Sequence, residues 1–138
     1  MDKPVVLIVE DDTIARLVFK KLIARLGYSS FEAHNGQEGL NIVDAHPEIT
    51  HIFLDLNMPV LDGYGFLHYL NSGSKHLHMN IFITSVSDEN EFVKTVNHRN
   101  IDISNVKGYN KKPFDMAQLA QSLVIGITSH NGETNKER

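Results

Sequence analysis

The sequence predicts an α/β fold, a doubly wound, five-stranded parallel sheet with helices on both faces, and three observations carry that reading. Short apolar runs alternate five times with segments of helical periodicity. The first run, Val5-Val6-Leu7-Ile8-Val9, is continuously apolar and rich in β-branched residues, as in a strand covered on both faces. Parallel neighbours need crossover connections, nearly always right-handed, which this alternation supplies. At 138 residues the chain has the size of one domain and is too short for an eight-fold barrel.

Asp12 or Thr13 stands where it can cap the first helix, in which Ile14, Leu17, Val18, Leu22 and Leu26 recur at helical spacing before Gly27 ends it. Residues 28–33 read as the second strand, Asn35-Gly36 as a turn, and residues 37–45 as a helix that turns Leu40 and Val43 inward and stops before Pro47. Residues 51–54 form the third strand, and a helix over 64–70 follows Asp62-Gly63, with Phe66, Leu67 and Leu70 as core. The fourth strand covers 81–83, a weaker helix 89–97, and the fifth strand 106–110. After Pro113, Asp115 and Gln118 match a capping box, and Leu119, Leu123 and Ile127 form the stripe of a last helix. The domain is expected over residues 3–127, with the polar residues 128–138 as a tail or the start of a linker.

Composition narrows the function. Hydrophobic residues at 41% and charged residues at 22% describe a globular chain rather than a disordered one. A formal charge of −4 without a basic stripe argues against direct nucleic-acid binding. There is no cysteine, which removes disulfides, thiol catalysis and thiolate metal sites and agrees with a cytoplasmic location. No apolar run approaches the roughly 20 residues of a membrane span, and the first is too short for a signal peptide. The eight histidines are scattered, and His76-x-His78 lacks a third ligand at useful spacing, so they are expected on the surface.

In doubly wound sheets ligands gather beyond the carboxyl ends of the strands, where the strand order reverses. Glu10, Asp11, Asp55, Thr84 and Lys112 all map to that edge. The run His51-Ile52-Phe53-Leu54 carries Asp55 to a strand end, and Leu56-Asn57-Met58-Pro59 stops the strand. Three carboxylates at one edge repel one another, so an ionised cluster needs a hard cation or raised pKa values. Mg²⁺, or Mn²⁺ in its place, meets that need: Asp11 and Asp55 are the expected direct ligands, Glu10 acts through water, and the main-chain carbonyl of Asn57 joins from the turn that Pro59 holds. Asp55 is then the expected phosphoacceptor, Lys112 balances the transferred oxygens, and a hydroxyl meets a remaining one. Thr84 is the first choice for that hydroxyl, with Ser85 as the alternative register. Asp12 reads as a helix cap and Lys111 as a solvated neighbour. An acid after one apolar run is commonly just a cap, but three acids, a hydroxyl and Lys112 at one sheet edge are hard to obtain by accident.

These residues resemble a known family, the receiver domains of two-component response regulators, over about residues 3–127. The family's acidic pair is similar to Glu10-Asp11, its phosphoacceptor segment to Leu54-Asp55-Leu56-Asn57-Met58-Pro59 followed by Asp62-Gly63, and its Lys-Pro to Lys112-Pro113; Tyr109 resembles its switch aromatic. The resemblance implies a flavodoxin-like sheet of order 2-1-3-4-5 and a phosphoryl donor that is a phosphohistidine on a sensor histidine kinase or histidine phosphotransfer protein. It also implies that phosphorylation draws Thr84 (or Ser85) inward, that Tyr109 follows, and that the face formed by the fourth helix, fifth strand and fifth helix changes its preference for a downstream protein target. Two departures stand out. The stretch from Thr84 to Lys112 is longer than usual, with residues 97–105 poor in helix formers, and Val86 after Ser85 is expected to crowd the pocket, which favours Thr84.

The expected function is a phosphoacceptor signalling module without a turnover substrate, free-standing or part of a larger protein. A haloacid-dehalogenase-type phosphohydrolase would want a second aspartate as general acid where Asn57 stands. A phosphorylation-independent pseudo-receiver would not require the intact acids and Lys112.

Overall fold

The computed structural model describes residues 3–73, 75–113 and 115–131, with side chains as far as Val124. Within them five strands alternate with five helices: β1 (Val5–Val9), α1 (Thr13–Arg25), β2 (Ser29–Ala33), α2 (Gly36–Ala45), β3 (His51–Asp55), α3 (Gly63–Asn71), β4 (Asn80–Ser85), α4 (Glu89–Arg99), β5 (Val106–Lys111) and α5 (Met116–Asn131). Every pairing is parallel and the strand order is β2-β1-β3-β4-β5, the flavodoxin-like arrangement, which reverses between β1 and β3.

A sheet covered on both faces has two cores, and side-chain alternation along each strand divides the apolar residues between them. Leu7, Val9, Leu54, Ile81 and Ile83 pack with Val43, Phe66, Leu70 and Phe92 from α2, α3 and α4. Val6, Ile8, Phe53 and Phe82 pack with Phe19 and Ile23 of α1 and Leu119 and Leu123 of α5. The continuous apolar run of β1 is thus the signature of its central place.

The caps expected at Asp12 and at Asp115 with Gln118 form, and Asn35, expected in a turn, and Asp62 cap their helices as well. Asp12 accepts the Ile14 N–H at 2.9 Å, Asn35 the Glu38 N–H at 2.8 Å and Asp62 the Gly65 N–H at 2.9 Å. Asp115 and Gln118 make the reciprocal capping box, both bonds 3.0 Å.

Three expectations need correction. Of the α1 stripe only Leu22 and Leu26 pack on the core. The helix turns Phe19 and Ile23 inward and leaves Ile14, Leu17 and Val18 exposed at 71%, 49% and 51%. Two rows of apolar residues compete on α1, and the row bearing Phe19 wins because its ring meets Phe53 at 5.4 Å. Two histidines are buried rather than on the surface: His51 stacks on Phe82 at 5.9 Å, and His76 lies 3.5 Å from Asp44. A planar, largely apolar ring fills a core position when its nitrogens find partners or stay neutral. Lastly, α5 continues to Asn131, so residues 128–131 of the expected tail are helical; residues 132–138 and the Ile127 side chain lie outside what is described.

The long α4–β5 connection is fastened to the core. Asn100 ends α4 in the left-handed region (φ 55, ψ 48), and Ile101 and Ile103 pack inward. Buried Asn71 and Asn105 exchange amide hydrogen bonds of 2.9 and 3.1 Å, and Asn71 Nδ2 also donates to the Asp102 carbonyl at 2.7 Å. Asn71→Ala strands Asn105 and that carbonyl, so urea denaturation is expected to show a loss of about 2–3 kcal/mol. The Asn71→Ala/Asn105→Ala double variant should lose little more than either single one; a fully additive loss would show that the two amides do not act as a pair.

Candidate functional site

The sheet brings the sequence-predicted acids together where its order reverses. Glu10 and Asp11 follow β1, Asp55 closes β3, and Lys112 follows β5. Carboxylate oxygens of Glu10, Asp11 and Asp55 all lie within 4.8 Å of one another, the one such group of potential metal ligands among the described residues. Glu10 and Asp55 are buried, and Asp11 is exposed at the rim. Lys112 Nζ sits 2.7 Å from Glu10 Oε1 and 3.7 Å from Asp55 Oδ1. The remaining contacts fix the acids: Asp12 N–H donates to Glu10 Oε2 at 3.2 Å, and the N–H of exposed Asn57 to Asp55 Oδ1 at 3.5 Å. Arg16 ties α1 to the end of β1 by donating from Nη1 to the Glu10 carbonyl at 2.9 Å.

Three acids facing one lysine leave an excess of negative charge in a partly buried place. Burial, and then the charge of Glu10, raise the Asp55 carboxyl from 3.8 to about 7, with Lys112 and the Asn57 N–H pulling the other way. Burial alone would lower the Lys112 ammonium, but its hydrogen bond to Glu10 and the charges of Asp55, Glu10 and Asp11 outweigh that and raise it. Lys112 therefore stays cationic, and the unmet negative charge is felt at Asp55. This donor set fits a hard divalent cation such as Mg²⁺ or Mn²⁺, which takes carboxylate oxygens and completes its shell with water.

The two candidate hydroxyls are both buried in β4 but face opposite sides of the sheet. By alternation Thr84 shares the face of Phe82, whereas Ser85 shares that of Ile83, the side on which Tyr109 packs. Ser85 Oγ accepts the Ser87 N–H at 3.1 Å, and the Tyr109 hydroxyl donates to the Ser87 carbonyl at 2.6 Å. Burial raises the Tyr109 phenol above its ordinary value, and a hydrogen bond with the Ser85 side chain offsets part of that. The hydroxyl beside Tyr109 is thus Ser85, the alternative register, while Thr84 pairs in register with Asp55 on the other face. The crowding expected of Val86 does not arise, because that side chain is 66% exposed.

From Tyr109 an aromatic row crosses α4: its ring lies 5.6 Å from Phe92, Phe92 lies 6.0 Å from Tyr64, and Arg99 sits 5.1 Å above Tyr64. Sequence reasoning misses Ser87 and Asp88, which join β5 through Tyr109 and Lys111; only the polar run 87–91 hints at them.

A charged cluster at the carboxyl edge of a 2-1-3-4-5 parallel sheet defines the class. The chain belongs to the response regulator receiver domain family, whose pattern matches residues 6–124, and so to two-component signalling. It is 27% identical over 127 residues to the chemotaxis protein CheY1 of Helicobacter pylori, covering 91% of this chain and 98% of that one. It is 28% identical over 121 residues to the hybrid signal transduction histidine kinase A of Dictyostelium discoideum, covering 86% of this chain but 5% of that much longer protein. The crystal structure of the CheX-CheY-BeF3-Mg²⁺ complex from Borrelia burgdorferi contains a chain with the same fold, at a TM-score of 0.75 and 24% identity, covering 88% of this chain and 87% of that one. Among the described residues no helix is long and apolar enough to cross a membrane.

Proposed function

We propose that this receiver accepts a phosphoryl group on Asp55 from a phosphohistidine of a sensor histidine kinase or phosphotransfer protein, and passes the event to a downstream protein through the face of α4, β5 and α5. The observation that carries this is the convergence of Glu10, Asp11 and Asp55 oxygens within 4.8 Å, with Lys112 alongside. In the transfer an Asp55 oxygen attacks phosphorus in line; the O–P bond forms as the N–P bond breaks, and the electron pair returns to the imidazole. Glu10, Asp11, Asp55 and the Asn57 carbonyl would hold Mg²⁺ or Mn²⁺, which when bound neutralises charge on the carboxylates and the phosphoryl oxygens. Lys112, already close to Asp55, meets the transferred oxygens, and Ser85 supplies the hydroxyl whose movement Tyr109 follows.

The exposed apolar side chains Ile14, Leu17 and Val18, on the first turns of α1 next to Asp11 and Asp12, give a phosphodonor protein a surface to cover. The Borrelia complex of the same fold holds BeF3 and Mg²⁺, which supports the same site chemistry here. In this reading the protein works in the cytoplasm, beside its kinase, and turns over no substrate.

The test is intact mass after incubation with acetyl phosphate. A gain of one phosphoryl group that requires Mg²⁺ is expected; neither a gain nor a ¹⁹F signal from bound beryllofluoride would leave a pseudo-receiver instead. Ser85→Ala is expected to keep phosphoryl uptake while the Tyr109 ring resonances stop responding to beryllofluoride, and Thr84→Val should leave that response intact. The opposite pattern would return the switch to Thr84.

A further inference from the structure

Four of the five helices start on a capping side chain, Asp12, Asn35, Asp62 or Asp115, and α4 does not. Asp88 occupies its N-cap position with the extended backbone a cap requires (φ −74, ψ 148), yet its carboxylate accepts no N–H of the helix. Lys111 Nζ holds Asp88 Oδ1 at 2.6 Å instead. The residue best placed to cap α4 is thus engaged by the strand next to the phosphoacceptor site.

We propose that Lys111 and Asp88 form a latch that withholds the α4 N-cap in this conformation, and that phosphorylation of Asp55 opens the latch so that Asp88 caps α4. The second half rests on the phosphoacceptor reading. Three bonds from β4 and β5 pin residues 86–88: Ser87 N–H to Ser85 Oγ, Tyr109 hydroxyl to the Ser87 carbonyl, and Lys111 to Asp88. When Ser85 turns to a phosphoryl oxygen, the Ser87 N–H loses its acceptor and the segment can rearrange.

The two states of Asp88 are close in energy. Its bond to Lys111 joins side chains 57% and 72% exposed, so water and salt weaken it. A cap bond is short and directed, and a carboxylate at a helix N-terminus also meets the favourable end of the helix dipole. A modest bias on the loop therefore moves the population. The far end of α4 does not follow, because Asn71 and Asn105 fasten the chain beyond it and Arg99 sits over Tyr64. The change is confined to the first turns of α4, the part of the output face nearest Asp55.

The latch is tested without phosphate by NMR amide exchange at Asn90, an N–H that a cap would engage; the Glu91 N–H already meets the Asp88 carbonyl at 3.1 Å. In Lys111→Gln this amide is expected to exchange about fivefold more slowly than in the wild type, in line with the usual strength of a cap. Lys111→Arg, which keeps the ion pair, should exchange like the wild type, and Asp88→Ala in the Lys111→Gln background should cancel the protection. Unchanged exchange in Lys111→Gln, or protection that survives Asp88→Ala, overturns the latch. Beryllofluoride with Mg²⁺ should bring the same protection to the wild type; bound beryllofluoride, seen by ¹⁹F NMR, without that protection overturns the release. If beryllofluoride does not bind, the phosphoacceptor reading falls and the release with it, while the Lys111 variants still decide the latch.

Discussion

Asp55→Asn is expected to gain no phosphoryl mass from acetyl phosphate under conditions that add one group to the wild type. The amide keeps the shape of the carboxylate but has no anionic oxygen to attack phosphorus, and the other acids do not replace it: Glu10 is held by Lys112 and the Asp12 N–H, and Asp11 lies at the rim. Normal labelling of this variant would sink the assignment of Asp55. The same substitution should also make the metal-free protein more stable at pH 8. An Asp55 carboxyl raised from 3.8 to about 7 is easier to ionise unfolded than folded, so above pH 7 the fold bears the cost of that buried charge, a few kcal/mol, and the neutral amide of the variant would relieve it.

His51 runs against this trend, and the pair gives a sharp test. Burial lowers its imidazole from 6.5 to about 4, the Leu123 backbone opposing only in part, and its Nε2 has no hydrogen-bond partner among the described residues. The unfolded chain therefore protonates His51 below pH 6.5 while the fold keeps it neutral to about pH 4. Its contribution is complete above pH 6.5 and lost as pH falls, by about 3 kcal/mol at pH 4. Asp55 acts over the same range with the opposite sign, favouring the fold below pH 4 and costing it stability as pH rises towards 7. The two slopes largely offset in the wild type. Asp55→Asn should leave stability climbing from pH 4 to 6.5, and His51→Phe should leave it falling from pH 4 to 7, both read from urea midpoints in the presence of a chelator. Parallel curves for the two variants would show that one of these groups has been misjudged.

The parts of this molecule legible in its sequence are those where local chemistry has one solution. A fully apolar β1 must be central, Asp12 before an apolar helix must cap it, and acids directly after β1 and β3 must meet where parallel strands end at one edge. What the sequence does not decide are choices between neighbours of equal local merit. Helical spacing suits the exposed row Ile14 and Val18 as well as the buried row Phe19 and Ile23, and only the space over Phe53 selects the second. Thr84 and Ser85 are both hydroxyls at a strand end, and which of them stands beside Tyr109 depends on strand pleat and on the pairing of Tyr109 with Ile83. Sequence alone does not separate His51 from the seven other histidines; its place on β3, within reach of the Leu123 backbone and against Phe82, does.

Gly63→Ala is the substitution expected to damage fold and site together. A Cβ at this first residue of α3 would lie 2.5 Å from the Asp55 carbonyl oxygen and 2.8 Å from Leu56 Cα. Both are backbone atoms, so no side chain can swing aside, and Gly63 N–H already holds the Leu56 carbonyl at 3.0 Å. Relief requires α3 to back away from β3, which opens the core around the fully buried Phe66 and Leu67, or requires the strand end to shift. The expected loss is about 3 kcal/mol or more by urea denaturation, a large share of the roughly 5–15 kcal/mol of a typical domain. Because the displaced backbone carries Asp55, phosphoryl uptake should also slow at a temperature where the variant is folded, by up to about a hundredfold for a misplacement near 1 Å. Gly73→Ala is the control, since a Cβ there meets nothing within 4 Å and should cost about 0.5 kcal/mol or less. If Gly63→Ala behaves like that control, α3 does not brace the strand end that presents Asp55. If it loses stability but labels at the wild-type rate, the strain is absorbed by α3, and the aspartate is held from β3 alone.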